Sequence, residues 1–272
     1  MGAQISQIFP PSPTVTESSL PSLQGRVSIV TGASAGVGRE LARLLYSRHA
    51  TVYMAAGSAE KCHSAISWMK SRHPELDALF NNAGVMVPPS GSVTKLGYDL
   101  QLGSNCLAPF LFTKLLTPVL VETAKGAAKG AVRSRVGVDL QNLGYVADAS
   151  VGVETRNGVS KCGNVLHALE YAERYKGKGI VSVALNPGNL ESELQRHMNP
   201  VLKFLLGFML YPPVNGAYTE LFAGLSPEVA TAKKGTWVVH FGRIMPLRKD
   251  LADGGHGKEF WEWSEKQVER YA

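Results

Sequence analysis

The chain has 272 residues, with 28 basic and 22 acidic side chains, a net charge of +6 and 44% hydrophobic residues. This length and apolar content predict one compact domain and exclude a disordered or collagen-like chain. Three cysteines are too few for a disulfide scaffold, so we expect a reducing, cytoplasmic location. Basic residues are scattered rather than gathered in a stripe, which argues against nucleic acid as a partner.

The N-terminal residues 1–24 are rich in Pro and Ser and predict a solvent-exposed arm ahead of a single domain at 25–272. Met1-Gly2-Ala3-Gln4-Ile5-Ser6 matches the acceptor pattern for N-myristoylation. The arm has no Lys or Arg before Arg26, so the second signal for stable anchoring is missing, and we expect membrane contact only if Gly2 is acylated. We find no secretory signal pattern and no uncharged run long enough to span a bilayer.

A strand, a glycine turn and a helix follow one another from Arg26 onwards. Val27 to Val30 is apolar and β-branched, and Thr31-Gly32-Ala33-Ser34-Ala35-Gly36-Val37-Gly38 forms the turn. Apolar residues at helical spacing come next, namely Val37, Leu41, Leu44 and Leu45. The glycines allow a tight bend at which helix N–H groups face a pyrophosphate, and this strand–turn–helix context favours a dinucleotide site over a purely structural turn.

A repeated alternation of strands and helices predicts a parallel sheet with helices on both faces. Thr51 to Ala56 is the second predicted strand, and 58–72 is a helix with Ser58 as N-cap. Leu76 to Phe80 is the next strand, and it runs into Asn81-Asn82-Ala83-Gly84. The predicted class is therefore α/β.

Several motifs in order resemble the short-chain dehydrogenase/reductase family, specifically its retinol-dehydrogenase-like branch common in fungi. The first pair is Thr31-Gly32-xxx-Gly36-x-Gly38 with Asn81-Asn82-Ala83-Gly84. Later pieces are Gly97-Tyr98-Asp99-Leu100-Gln101 leading to Asn105, Ser160-Lys161 opening a helix, and Asn186-Pro187-Gly188 closing a strand. The resemblance implies a Rossmann-like doubly wound parallel sheet, NADP(H) or NAD(H) as cofactor, and alcohol or carbonyl chemistry in secondary metabolism.

The resemblance also implies a set of site residues. The family's catalytic set is Asn, Ser, Tyr and Lys, and Asn105 and Lys161 match two of its members. The implied cofactor-binding residues are Gly32, Ser34, Gly36, Val37, Gly38, Lys61, Asn82, Ala83, Gly84, Asn105, Lys161, Pro187, Gly188, Leu190 and Ser192. The seven histidines show no ligand pairing, so we predict no metal.

Asn157 stands four residues before Lys161, where the family has its tyrosine. A carboxamide can donate a hydrogen bond but cannot release a proton near neutral pH, so Asn157 is not expected to replace the phenol. Neither Tyr145, too far upstream, nor Tyr171, ten residues downstream, is an obvious substitute. The sequence therefore predicts a centre that lacks its general acid.

Pro109 bears on the role of Asn105. A helical N–H at position 109 would bond the carbonyl of Asn105, but proline has no N–H. The freed carbonyl could hold a water, which resembles the family's proton relay. Alternatively, Pro109 simply kinks a core helix.

Two further stretches depart from the family pattern. The strand that should end in serine corresponds to Arg135 to Asn142, which has no serine, and we expect Val136 to Leu140 to enter the sheet. Between His73 and Leu76 one strand–helix unit at the sheet edge is missing. In the family's numbering the sheet order becomes 2-1-4-5-6-7, and the right-handed crossover rule moves helix 58–72 to the opposite face.

The cofactor preference and the substrate rest on weaker patterns. The second strand ends at Gly57, without the acidic residue typical of NAD sites, and Arg39 and Lys61 favour NADP(H), although each also suits an ordinary solvated helix position. The segment 189–225 corresponds to the family's substrate lid, and its apolar residues favour a small apolar substrate, or else a core helix. We expect Trp237 to Phe241 as the last strand and Phe260 to Tyr271 as a terminal helix.

Three functions remain open from the sequence. The first is an NAD(P)(H)-dependent oxidoreductase, a homo-oligomer being compatible with it, whose activity is impaired or uses an unrecognised acid. The second is a catalytically silent nucleotide-binding homologue that acts as a partner or regulator. The third is a shortened gene product made from mis-joined coding segments.

Overall fold

The computed structural model describes residues 9–55, 75–126, 153–191, 210–232, 236–253 and 255–272. Several predicted features lie outside the described residues: Lys61, Ser192, Tyr145, the helix 58–72 and the strand Val136 to Leu140. The face on which helix 58–72 packs therefore stays a prediction.

Three parallel strands form the sheet that carries the glycine turn. They are β1 (Val27–Thr31), β2 (Thr51–Ala55) and β3 (Ala78–Phe80), in the order β2-β1-β3. Ile29 of the central strand lies opposite Tyr53 of β2 and Leu79 of β3. The first three positions of the predicted order are confirmed, because β3, the strand that runs into the Asn81–Gly84 motif, pairs directly with β1.

One face of this sheet is covered by two helices, α1 (Gly36–Ser47) and α4 (Pro213–Leu225). Val30 and Phe80 pack against them in a single buried cluster. Successive side chains of a strand point to opposite faces, so the neighbours of these two residues must be buried on the other side.

The opposite face confirms a doubly wound arrangement. Ile29 and Leu79 are buried there against α2 (Ala108–Gly126) and α5 (His256–Val268). The helix α3 (Val153–Arg174) packs along α5. The shorter helical pieces are Glu17–Ser19, Leu100–Leu102, Gly103–Leu107, Pro227–Ala230, Lys249–Asp253 and Glu269–Tyr271.

The C-terminal strands differ from the prediction. β4 (Thr236–Val239) ends two residues before Phe241, because a tight turn follows, in which the Gly242 N–H donates to the Val239 carbonyl at 3.1 Å and Gly242 has φ +85°. After this turn β5 (Arg243–Pro246) pairs antiparallel with β4. The expected strand ending at Asn186 is reduced to one parallel bridge between Leu185 and Val238. Its other neighbour in the predicted order is Val136 to Leu140, which lies outside the described residues.

The N-terminal arm is not a free, solvent-exposed segment throughout. Leu20 and Leu23 are 5% and 6% exposed and belong to the core cluster of α1 and α4. The Leu23 N–H donates to the carbonyl of Arg48 at 2.6 Å. The prediction of an exposed arm was wrong for these residues, because Leu20 and Leu23 bury their apolar side chains in that cluster.

The helical stretch Leu100–Gly126 is long and apolar enough to cross a membrane by length and composition. In the fold it packs as a core element, with Phe110, Leu116 and Leu120 at most 4% exposed. Its apolar character is accounted for by contacts with β1, β3 and α5.

Candidate active site

The glycine turn joins the end of β1 to the start of α1. Gly32 and Gly36 have φ of +66° and +53°, a region that favours glycine. Ala35 is the N-cap of α1 and has no polar side chain, so it leaves the first-turn amides without a side-chain acceptor. Such amides, at the positive end of a twelve-residue helix, form a cradle suited to a diphosphate.

The loop after β3 is locked onto this turn. Asn82 Nδ2 donates to the carbonyls of Thr31 and Gly32 at 2.8 and 3.3 Å, and the Ala83 N–H donates to Thr31 Oγ1 at 2.9 Å. A Cβ placed on Gly38 would lie 2.2 Å from Asn82 Nδ2, so this glycine is required by close packing. The Asn82 amide, predicted to bind cofactor, holds the turn in shape, and Thr31 helps to build the site although it was not among the predicted site residues.

Gly84 lies where three segments meet. A Cβ placed there would lie 3.1 Å from Asn105 Oδ1 and 3.3 Å from Lys161 Nζ. The fold thus brings together Asn105 and Lys161, the two predicted catalytic residues, beside Gly84, which has no side chain to fill the space between them. Because β1 and β3 are parallel, this point lies at the same sheet edge as the glycine turn.

Asn105 is held rigidly by its carboxamide. Its Oδ1 accepts from the Val85 N–H at 2.7 Å, and its Nδ2 donates to the Val85 carbonyl at 2.9 Å and to Ser160 Oγ at 3.1 Å. Asn105 lies in a π-helical turn, Gly103–Leu107, that ends two residues before Pro109. This wider turn, in which ordinary i→i−4 bonding is interrupted, is compatible with both earlier interpretations of Pro109.

The prediction that Ser160 and Lys161 begin a helix was wrong. They lie in the interior of α3, which begins seven residues before Ser160 at Val153. Within α3, Ser160 is fully buried and its Oγ accepts from Asn105 Nδ2 at 3.1 Å. The sequence offered no signal for this contact, because Ser160 and Asn105 are 55 residues apart.

The segment after Asn186 completes the same edge. Gly188 has φ +103° and its N–H donates to Asn186 Oδ1 at 3.0 Å. A Cβ placed on Gly216 of α4 would meet both Leu190 and Val37, so these two predicted cofactor-binding residues approach one point. The predicted residues of four distant segments therefore converge, from the glycine turn through Gly84 and Lys161 to the 186–190 loop.

Comparisons with known proteins decide the family. No protein-family model matches the sequence. A short-chain dehydrogenase/reductase of Phomopsis amygdali is 42% identical over 98% of this chain and 96% of its own length. The protein bet4 of Neocamarosporium betae, with the same description, is 38% identical over 98% and 93%. The chain belongs to the short-chain dehydrogenase/reductase family.

Solved structures agree on the fold of this short-chain dehydrogenase/reductase. A 3-ketoacyl-(acyl-carrier-protein) reductase from Brucella melitensis, complexed with NADH, has a TM-score of 0.63 at 21% identity, covering 82% of this chain and 99% of its own. An uncharacterised protein from Mycobacterium paratuberculosis has a TM-score of 0.65 at 24% identity, covering 94% and 97%. At such identities the likeness establishes the Rossmann-type fold.

The site departs from the family pattern at the proton donor, because Asn157 stands where the family has its tyrosine. Position 157 lies in α3, one helical turn before Lys161. Tyr171 of the same helix is buried, and its hydroxyl bonds Thr117 Oγ1 at 2.8 Å. Burial raises the pKa of Tyr171 above its ordinary value, which makes proton release harder. Tyr171 is thus a core residue, which agrees with the expectation that it is not an obvious substitute for the family's tyrosine.

Arg39, a candidate for contact with a 2′-phosphate, lies on the first turns of α1. Its side chain is 66% exposed and forms a 3.6 Å ion pair with Glu40. It therefore stands in solvent beside the glycine turn. Ser34, in the turn itself, is also exposed, whereas Val37 and Gly38 are buried.

Proposed function

We propose that this short-chain dehydrogenase/reductase binds a nicotinamide dinucleotide, with the diphosphate at the glycine turn and the nicotinamide end near Gly84. The observation that carries the proposal is the approach of Asn105 Oδ1 and Lys161 Nζ to Gly84, at the edge where the uncapped amides of α1 also lie. The cradle fits the group, because Gly32 and Gly38 leave no side chain between the turn and the loop 81–84.

The proposed reaction is hydride transfer between that dinucleotide, which supplies the hydride carrier, and an alcohol or carbonyl of a small apolar metabolite. Lys161 places an ammonium charge at the reacting centre, where it stabilises negative charge on an oxygen. Asn105 keeps the backbone of Val85 in place beside it. Asn157 cannot release a proton, so we propose that turnover is impaired.

NADP(H) is the favoured cofactor in this proposal, with Arg39 and Lys61 as the residues that contact its 2′-phosphate. The loss of one edge strand–helix unit is also proposed. The alignment with the Phomopsis relative extends over 323 positions, more than the 272 residues of this chain, which supports a shortened chain.

A second candidate is a catalytically silent nucleotide-binding homologue, and Asn157 favours it specifically. The two candidates share the binding step and differ in chemistry. Turnover of apolar ketones by the unsubstituted chain, at rates ordinary for the family, would contradict the hypothesis of a catalytically silent homologue.

Titration of NADPH fluorescence tests the binding step. Ser34→Asp adds a carboxylate to the exposed turn, and we expect it to weaken NADPH binding by about tenfold, because it repels the diphosphate. Ser22→Asp adds the same charge at an exposed position of the arm and should leave the dissociation constant within about twofold. Equal effects of the two substitutions, or no NADPH binding by the folded chain, would contradict the proposed site.

A further inference from the structure

Val87 adopts a backbone conformation that a β-branched residue normally avoids. Its φ is +47°, in the left-handed region where Cβ-branching brings the side chain against the backbone. Such a conformation persists only where surrounding contacts enforce it, and it is often found beside functional sites. The contacts around Val87 identify what enforces it here.

A buried glutamine holds Val87 in place. The Val87 N–H donates to Gln101 Oε1 at 3.2 Å, and Gln101 is 0% exposed. Burial restricts the glutamine side chain, so its acceptor oxygen is fixed in space. The bond compensates part of the cost of the left-handed backbone.

Gln101 and Asn105 act on the same segment. They are four residues apart, and each carboxamide oxygen accepts a backbone N–H, from Val87 and Val85 respectively. The two bonds attach the segment 85–87, at its first and last residues, to the helical stretch that contains both glutamine and asparagine side chains. Asn105 fixes its beginning, and Gln101 fixes its end.

The segment 85–87 follows Gly84, which lies beside Lys161 and Asn105 in the proposed reacting centre. Along the chain, Ala83 contacts the glycine turn, Gly84 meets Lys161 and Asn105, and the half-buried Val85 and Met86 follow. The order along this single segment therefore runs from the diphosphate cradle to the centre and beyond it. A substrate on the far side of the nicotinamide would meet Val85 and Met86 next.

We propose that Gln101 is a positioning residue for substrate binding: by holding Val87 in its left-handed conformation, it fixes Val85 and Met86 as an apolar wall of the substrate pocket. This inference rests on the proposed function, because the wall adjoins the proposed nicotinamide end. The chemical class that fits it is an apolar ketone or alcohol, bound through its hydrocarbon part.

Three variants test this role, with trans-1-decalone as an apolar ketone probe and calorimetry on the NADPH-bound protein as the measurement. Gln101→Met keeps the side-chain volume but has no amide oxygen, and we expect decalone affinity to fall by about fivefold or more while NADPH affinity changes by less than about twofold. Val87→Gly adopts the left-handed conformation without strain, so decalone affinity should be retained. The double variant should recover the affinity lost in Gln101→Met, because glycine no longer needs the amide.

The matched control is Gln267→Met. Gln267 Oε1 accepts from the Tyr98 hydroxyl at 3.1 Å, so the substitution also removes one amide acceptor, away from the segment 85–87. Decalone affinity should not change in this variant. The positioning role would be overturned if decalone affinity fell in both glutamine variants, or if Val87→Gly failed to restore it in the Gln101→Met background. Gln101 would then have a merely structural role.

Amide hydrogen exchange on the unsubstituted chain keeps the test valid even if Gln101→Met does not fold. The Val87 N–H should be protected to a degree similar to the Val85 N–H, and exchange of Val87 at the rate of a free amide would overturn the proposal. Absence of NADPH binding would overturn the proposed function together with the wall. NADPH binding combined with an unchanged decalone affinity in Gln101→Met would overturn the wall alone.

Discussion

At the scale of single residues, the asparagine at position 157 is the basis for the proposal that turnover is impaired. Position 157 lies four residues before Lys161 on α3, so a phenol placed there would share a helical face with the ammonium. We expect Asn157→Tyr to raise turnover of an apolar ketone by on the order of a hundred- to ten-thousand-fold, with NADPH affinity unchanged. Steady-state rates and NADPH titration measure the two effects.

The matched control for this substitution removes the ammonium instead. Lys161→Met in the Asn157→Tyr background should abolish the gain, because the phenol then lacks the neighbouring charge that lowers its pKa. An unchanged turnover in Asn157→Tyr would mean that the missing tyrosine is not what limits the reaction.

Arg39 carries the second prediction at this scale. Its guanidinium is exposed beside the glycine turn and pairs with Glu40 at 3.6 Å, which suits the proposed contact with a phosphate on the adenosine ribose. Arg39→Ala should weaken NADPH binding by about fivefold and leave NADH binding unchanged. Arg43→Ala removes the same charge from the same helix, where Arg43 pairs with Glu40 and Glu17, and should not alter the preference. Equal losses for NADPH and NADH would refute a 2′-phosphate contact.

Among the elements, α3, α5 and the π-helical turn are joined by one buried imidazole. His167 Nε2 donates to Ser264 Oγ at 2.8 Å, because the Ser264 hydroxyl is itself committed to the Phe260 carbonyl. His167 Nδ1 is therefore the acceptor, and it faces the Cys106 thiol at 3.7 Å. Burial lowers the pKa of His167 to about 3 and raises the pKa of Cys106, so both groups are neutral.

This neutral histidine makes stability depend on pH. The pKa of His167 falls from 6.5 in the unfolded chain to about 3 in the folded one, so the unfolded state binds the extra proton between these values. The free energy of unfolding is therefore unaffected by His167 above about pH 6.5. As the pH falls from 6.5 toward 3, it decreases by about 1.4 kcal/mol per pH unit. Urea unfolding should show that the free energy of unfolding falls by about 2 kcal/mol between pH 7 and pH 5. This decrease should be absent in His167→Phe. The exposed-site variant His256→Gln should keep the loss, and a pH-independent difference between His167→Phe and the unsubstituted chain would refute the assignment.

The elements that the sequence predicted well are those fixed by local patterns. β1, the glycine turn and α1 follow from strand, glycine and helix signals within about 20 residues, and all three form. The bonds from Asn105 to Ser160 and from His167 to Ser264 join residues 55 and 97 positions apart, and no periodicity encodes such pairs. The π-helical turn was likewise not predicted, although Pro109 lies two residues after its end.

For the whole molecule, the arm shows how strongly a segment of low apolar content can be bound to the domain. Arg48 donates to the Glu17 carbonyl, and the Tyr218 hydroxyl donates to the Glu17 carboxylate. This hydrogen bond lowers the pKa of Glu17 below its ordinary value. The arm thereby links α1, which starts at the glycine turn, to α4, which packs beside Leu190.

Leu23 tests whether the arm belongs to the cooperative unit. Its side chain is 6% exposed within the core of α1 and α4, so Leu23→Ala should lower the free energy of unfolding by about 2–4 kcal/mol. Leu96→Ala, at a position 52% exposed, should change it by less than about 0.5 kcal/mol. Urea unfolding followed by tryptophan fluorescence and circular dichroism should give one coincident transition, shifted only in Leu23→Ala. If Leu23→Ala is as harmless as Leu96→Ala, the arm is an appendage, and the core between α1 and α4 is closed by the domain itself.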